Sequence, residues 1–286
     1  MKPWSEALAR YQQLGQAHVL ISVISRDGSV PREPGSKMLV SRDEAVDTIG
    51  GGHLEYRALA YARTLLQAGQ ACQRLQQFPL AASLGQCCGG QATLLFEVFP
   101  AEAKLWLFGA GHVGRALSVI LSELPVCLHW VDSRAAEFPA VLPAGVQVHC
   151  PERVLDLLDQ INAQDSVLVM THRHDLDYDL CLQLLKRSHP GWIGLIGSRT
   201  KAARFRHRFR HAGIQTQQLA SWQCPVGLPE VAGKRPMEVA VSIAGQLIQN
   251  YQSAAAEKPR HAGLEAADLA LWTQLQHTSL LDWETK

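Results

Sequence analysis

The sequence predicts an α/β chain: an N-terminal α+β domain, then a parallel α/β domain, then a C-terminal helical tail. Three observations predict it. The apolar run Lys104-Leu105-Trp106-Leu107-Phe108 feeds straight into Gly109-Ala110-Gly111-His112-Val113-Gly114 and then into helix-compatible residues, which reads as strand, tight turn and helix. A second apolar run, Val126 to Val131, ends at Asp132, about 20 residues beyond the glycines. Further strand-like and helix-like stretches alternate as far as Gln249, the pattern of a parallel sheet with crossover helices. Together they describe a Rossmann-type βαβ unit. Gly109 permits the turn, Gly111 lets the backbone approach a diphosphate, and Gly114 lets the helix pack closely, with its first amides facing an anion. Asp132 is placed to accept hydrogen bonds from a ribose diol, which favours an NAD-like nucleotide over NADP; the neighbouring Arg134 softens that preference.

The elements before this unit follow in order. Residues 4–14 suit a short amphipathic helix, and Ala17 to Ser25 have the β-branched density of a buried strand. Val30 to Lys37 form a loop shaped by two prolines and a glycine, with Arg32 and Lys37 as cations, or simply a solvated hairpin loop. Met38 to Val40 return as a strand. Gly50, Gly51 and Gly52 precede a helix over 53–68, where their amides hold an anion or serve only close packing. Gly85-Gln86-Cys87-Cys88-Gly89-Gly90 precedes a strand over 92–99. A single CC pair lacks the CxxC spacing of a zinc half-site, so Cys87 and Cys88 read as a soft-metal or sulfur-carrying thiolate, or as inert small residues.

Pro100 to Ala103 separate the first region, 1–100, from the second, 104–252. After Asp132, a loop over 133–139 leads to a third strand at 146–149, a helix over 151–161 and a strand over 166–170. That strand runs into His172, Arg173, His174, Asp175 and Asp177 on one loop. His172, His174 and Asp175 read as substrate or cofactor contacts, as metal ligands of no diagnostic spacing, or, for Asp175 and Asp177, as helix caps. Another strand at 192–196 precedes Gly197, Ser198 and Arg199, which suit a phosphate at the start of the basic helix 202–212. A short strand near 217–220, a rigid turn at 224–229 and an apolar helix over 236–249 follow. Composition shifts at Ser253, so 253–286 reads as a tail ending in a short docking helix.

Charge is nearly balanced, with 27 basic and 26 acidic residues among 286, and no basic run aligns with an aromatic platform. Nucleic acid is therefore not expected as a partner. No stretch approaches the roughly 20 apolar residues needed to span a bilayer, and the first residues lack a signal-peptide pattern, so a cytoplasmic chain without membrane contact is expected. Seven cysteines, an odd number, point to reduced thiols rather than a disulfide framework. Oligomeric state is not legible, although a homodimer is the common case for soluble proteins.

Seven blocks in one order resemble the XdhC/CoxI family of xanthine dehydrogenase accessory proteins: SVPREPGSKMLV at 29–40, IGGGHLE at 49–55, GQCCGG at 85–90, LFGAGHVGRAL at 107–117, THRHDLDYD at 171–179, IGLIGSRTK at 193–201 and CPVGLPEVAGKRPMEVAVSIAGQL at 224–247. The resemblance covers about residues 15–250 and implies a chaperone rather than an enzyme. Such a chaperone binds molybdenum cofactor, protects it while a cysteine desulfurase supplies its terminal sulfur, and delivers it to the molybdenum-binding subunit of xanthine dehydrogenase in purine catabolism. The family's cysteine before the paired glycines maps onto Cys88, the expected molybdenum contact, with Cys87 an additional thiol. Two other readings compete: an NAD-dependent oxidoreductase with His172 or His174 as acid-base, and a nucleotide-sensing regulatory module.

Overall fold

The computed structural model describes residues 3–27, 32–80, 90–187, 191–231, 233–256 and 263–281. The chain divides into two compact units, 1–101 with 255–286, and 102–254.

The first unit is built on a five-stranded antiparallel sheet. Its elements are α1 (Trp4–Gln13), β1 (His18–Asp27), β2 (Lys37–Val40), β3 (Ala45–Asp47), α2 (Gly52–Ala68), β4 (Cys72–Leu80) and β5 (Gly90–Phe99). The strand order is β3-β2-β1-β5-β4. Alternation along β1 decides the faces: Val19, Ile21 and Val23 pack with Leu54, Ala58 and Ala62 of α2, whereas Leu20 joins Ala7 and Tyr11 of α1. The start of β2 is fixed by Gly35 N donating to Val23 O at 2.8 Å and Val23 N to Ser36 O at 3.0 Å. β4 was not foreseen, because CQRLQQFPL carries polar residues at several of its positions and ends next to a proline.

The segment set apart as a tail packs into this unit instead. Helix α7 (Ala266–Leu281) lies against β4. Asp268, itself buried, accepts from Leu75 N at 2.9 Å and from Glu265 N at 3.0 Å, while Arg74 pairs with Glu265. The physical reason is an edge strand with amides to satisfy, which a carboxylate at the start of the helix supplies.

The second unit is a six-stranded parallel sheet. It comprises β6 (Ala103–Phe108), α3 (His112–Leu121), β7 (Val126–Val131), β8 (Gln147–His149), β9 (Ser166–Val169), α4 (His174–Lys186), β10 (Ile193–Leu195), α5 (Arg199–His211), β11 (Trp222–Gln223) and α6 (Pro236–Ala256). The order β11-β10-β9-β6-β7-β8 is that of a doubly wound dinucleotide-type sheet, with the reversal between β6 and β9. Leu105 and Leu107 of β6 face Leu117 and Leu121 of α3 and Ile243 and Leu247 of α6; Trp106 and Phe108 face the α4 and α5 side. Both faces are covered, which is why these strands read as continuous apolar runs.

The helix expected over residues 151–161 is a 3-10 helix, Val154–Gln160. One expectation is corrected here. Residues 217–220 are a 3-10 turn over Gln218–Ser221 that precedes the short β11. The turn at 224–229 contains a cis Cys224-Pro225 bond and is pinned by α6: Ser242 accepts from Leu228 N at 2.8 Å and Gln246 from Gly227 N at 2.7 Å.

On the α4 side of the sheet, Trp106 stacks on His129 at 4.2 Å, and His129 Nδ1 lies 3.0 Å from His149 Nε2. Trp106 Nε1 donates to Asp165 at 3.0 Å. Burial, then the neighbouring His149 and Lys104, push His129 down to about 4. The unfolded chain therefore takes up a proton below pH 6.5 that folded His129 refuses until about pH 4. Stability should fall as pH drops through that window. Urea midpoints measured from pH 7.5 to 4 should show this slope reduced in His129→Phe, and an unchanged slope would remove His129 as its source.

Candidate functional site

Parallel strands carry their carboxyl ends to one edge, so the turns after β6, β7 and β9 meet where the strand order reverses. A small, partly open cleft lies there, lined by Gly109, Val131, Asp132, Ser133, Val154, Thr171, His172 and Leu176.

The β6–α3 turn is built for close approach. Gly109 sits at φ +124°, and a Cβ there would meet Met170 O at 2.3 Å; a Cβ on Gly114 would meet Gly109 O at 2.2 Å. Both positions require glycine, one for the turn and one for the contact of helix and turn. Gly111 differs. Its φ is −68° and a Cβ would meet nothing within 4 Å, so packing does not demand glycine there. Among the described residues no side chain caps α3, which leaves its first-turn amides facing the open side of Gly111.

Asp132 is buried at the end of β7, and its carboxylate is already engaged. Its Oδ2 accepts from Ala110 N and Arg134 Nη2, both at 2.8 Å, and its Oδ1 from Arg134 N and Nε, both at 3.0 Å. Burial pushes this carboxyl up, but the hydrogen bonds from Arg134 and the Ala110 amide outweigh it and hold it below its usual value. Arg134 also reaches Glu137 at 3.2 Å, Glu137 accepts from Arg115 at 2.8 Å, and Arg115 Nε donates to Ala110 O at 3.2 Å. The ring closes on Ala110, held at both its N–H and its C=O. The sequence marks Arg134 only as a modifier and does not single out Arg115 or Glu137, because the ring joins two stretches, 110–115 and 132–137, that meet only in the folded sheet.

The strand ends β9 and β10 are tied by a buried ion pair. Lys201 Nζ donates to Asp177 Oδ2 at 2.7 Å and to Ile196 O at 3.0 Å, with side chains 13% and 1% exposed. Asp177 Oδ1 accepts from Thr171 N at 3.0 Å and Thr171 Oγ1 at 2.7 Å. The cluster expected on one loop is therefore divided. His174, Asp175 and Asp177 lie in the first turn of α4, and Asp177 closes that turn onto Thr171. His172 lines the cleft, whereas His174 is 84% exposed and Asp175 is held by Arg173, which pulls its carboxyl to about 2.

The remaining candidates divide the same way. Ser198 caps α5, accepting from Lys201 N at 3.1 Å, and Arg199 is exposed beside it. In the first unit, Gly50, Gly51 and Gly52 have φ of 123°, 73° and 62°, a left-handed run that only glycine adopts cheaply. The anion expected there is supplied by the chain itself: Glu55 accepts from Ile49 N at 3.2 Å and Gly51 N at 3.0 Å, and Thr48 Oγ1 takes the Gly50 amide at 3.0 Å. Lys37 donates to Ser22 at 2.6 Å and lies over the Trp4 ring, while Arg32 is exposed. Cys87 and Cys88 lie outside the described residues. Of the other cysteines, Cys127, Cys181 and Cys224 are buried and none lines the cleft. Among the described residues no group of three or more His, Cys, Asp or Glu is arranged to hold a metal, and no helix is long and apolar enough to cross a membrane.

Comparison with known proteins bears on this geometry directly. The model of the XdhC Rossmann domain matches residues 105–247, and that of the XdhC and CoxI family matches residues 12–78. The chain belongs to the XdhC/CoxI family. The Rossmann match of this XdhC chain spans the glycine turn, the Asp132 ring and the Asp177–Lys201 pair together. The uncharacterized protein YqeB of Escherichia coli (strain K12) is 26% identical over 272 residues, covering 91% of this XdhC chain and 49% of YqeB. The chain thus spans about half the length of that relative. A solved structure of a xanthine dehydrogenase from Bacillus halodurans is 20% identical with a TM-score of 0.47, covering 88% of this chain and 96% of that one.

Removing one partner of the buried pair strands the other's charge. Lys201→Met should cost about 3–5 kcal/mol in urea unfolding. A change below about 1 kcal/mol would show that Asp177 does not depend on Lys201.

Proposed function

We propose that this XdhC-family protein acts in the maturation of xanthine dehydrogenase, as a carrier that holds molybdenum cofactor in the crevice at the β6–β9 reversal. On this reading it receives or protects the cofactor while a cysteine desulfurase supplies sulfur, and hands it to the molybdenum-binding subunit. The observation that carries the reading is the uncapped start of α3, with Gly111 leaving its amides open, at the switch point of a sheet matched by the XdhC Rossmann model.

The residues fit part of the group. Molybdenum cofactor is a pterin dithiolene bearing a phosphate, and it supplies the metal-centred redox chemistry of the enzyme that receives it. Its phosphate suits the first-turn amides of α3, where an anion also meets the positive end of the helix dipole. Thr171 and His172 offer polar groups across the cleft for a heterocycle edge, and Val131, Val154 and Leu176 give it apolar walls. A soft ligand is required as well. On the family resemblance that role is assigned to Cys88, with Cys87 beside it. The buried thiols of Cys127, Cys181 and Cys224 are held protonated by burial and do not suit the task.

The test is to incubate the protein with molybdenum cofactor, gel-filter it, and measure bound molybdenum and activation of cofactor-free xanthine dehydrogenase. Retention near one per chain with transfer is expected; no retention would overturn the proposal. Two variants locate the site. Gly111→Asp keeps an ordinary φ and has room for its side chain, so it should fold as wild type while setting a carboxylate against the phosphate, and retention should fall at least tenfold. Cys88→Ala should retain less molybdenum at unchanged stability; undiminished retention and transfer would remove Cys88 from the site.

A further inference from the structure

In a sheet of this order, an acid at the end of the second strand reads the adenosine ribose diol of a bound dinucleotide. Asp132 holds that position but is not free to act from it. A carboxylate offers about four acceptor sites, and here four donors fill them: the Ala110 amide, the Arg134 amide, and Arg134 Nε and Nη2. Arg134 is held in turn by Glu137, and Glu137 by Arg115, so the ring contains two carboxylates and two guanidiniums and is formally neutral. A diol approaching Asp132 would have to displace a guanidinium from a carboxylate 4% exposed, exchanging charge-assisted bonds for neutral ones.

We propose that the Asp132–Arg134 pair is a specificity filter: the crevice takes phosphate-bearing ligands without an adenosine ribose diol and is closed to NAD-type dinucleotides. Arg134 is the specificity-determining residue. The ring also positions the turn, because Ala110 is gripped at both backbone groups, so the amides of α3 are set without help from a ribose. This deepens the cofactor-binding reading of the same crevice and rests on it for the identity of the phosphate ligand, but the diol filter is tested separately.

The experiment titrates the full chain with ADP-ribose, and with an analogue lacking the adenosine ribose hydroxyls, by calorimetry. Wild type should bind both equally weakly, at millimolar affinity or worse. Arg134→Met frees Asp132 and should tighten ADP-ribose at least tenfold while leaving the analogue unchanged. Arg134→Lys, which keeps the charge but gives up the two-pronged contact, should gain less in the same direction. If Arg134→Met does not fold, the Lys variant and the wild-type comparison decide. Micromolar wild-type binding of ADP-ribose with preference over the analogue would overturn the proposal, as would no gain in the folded variants. Failure of the carrier reading shows instead as absent molybdenum retention by wild type, which involves no ribose.

Discussion

The buried carboxylate of Asp132 is the constraint on which the rest of the crevice depends. It takes the amide of Ala110 and the guanidinium of Arg134, and through Glu137 and Arg115 the chain of contacts returns to the carbonyl of Ala110. A glycine-rich turn left to itself loses more conformational freedom on folding than any other segment. Here both backbone groups of its central residue are held, Trp130 Nε1 donates to Gly109 O at 3.0 Å, and Met170 leaves no room beside Gly109. The turn is therefore rigid before any ligand arrives, which is the condition for an anion site that does not spend binding energy on ordering itself.

A second buried charge does the same for the neighbouring strand ends. Lys201 and Asp177 join the starts of α4 and α5, and Thr171 is held by the carboxylate oxygen that faces away from Lys201. An ion pair this buried adds little net stability against an apolar alternative, but it is costly to break and permits one arrangement only. Its consequence lies at the cleft, since Thr171, which Asp177 holds by both its amide and its hydroxyl, lines it. The two networks sit on either side of the strand-order reversal, one behind β6 and β7, the other behind β9 and β10.

The first unit uses its unusual residues differently. Three consecutive glycines with positive φ bring the chain into α2, and Glu55 turns back from the helix to take the amides of Ile49 and Gly51. A motif that resembles an anion site thus carries its own anion. At the start of α3, by contrast, no side chain among the described residues takes the first-turn amides. This difference in internal satisfaction, rather than any difference in glycine content, separates the structural turn from the candidate binding turn.

Much was legible in the order of residues alone. The apolar run before Gly109, the spacing to Asp132 and the alternation of later strands determined a doubly wound sheet, because local periodicity and the needs of a tight turn are properties of neighbours in sequence. Seven ordered blocks determined the family. What neighbours in sequence do not determine is whether a polar group is spent or free. Asp132 read as a ribose acceptor, Gly50 to Gly52 as an anion cradle and residues 253–286 as a tail. Only the tertiary structure brought Arg134 and Ala110 to the first, Glu55 to the second and the edge of β4 to the third. The reason is physical: a hydrogen bond is decided by distances of about 3 Å between groups that can be 193 positions apart, as Leu75 and Asp268 are.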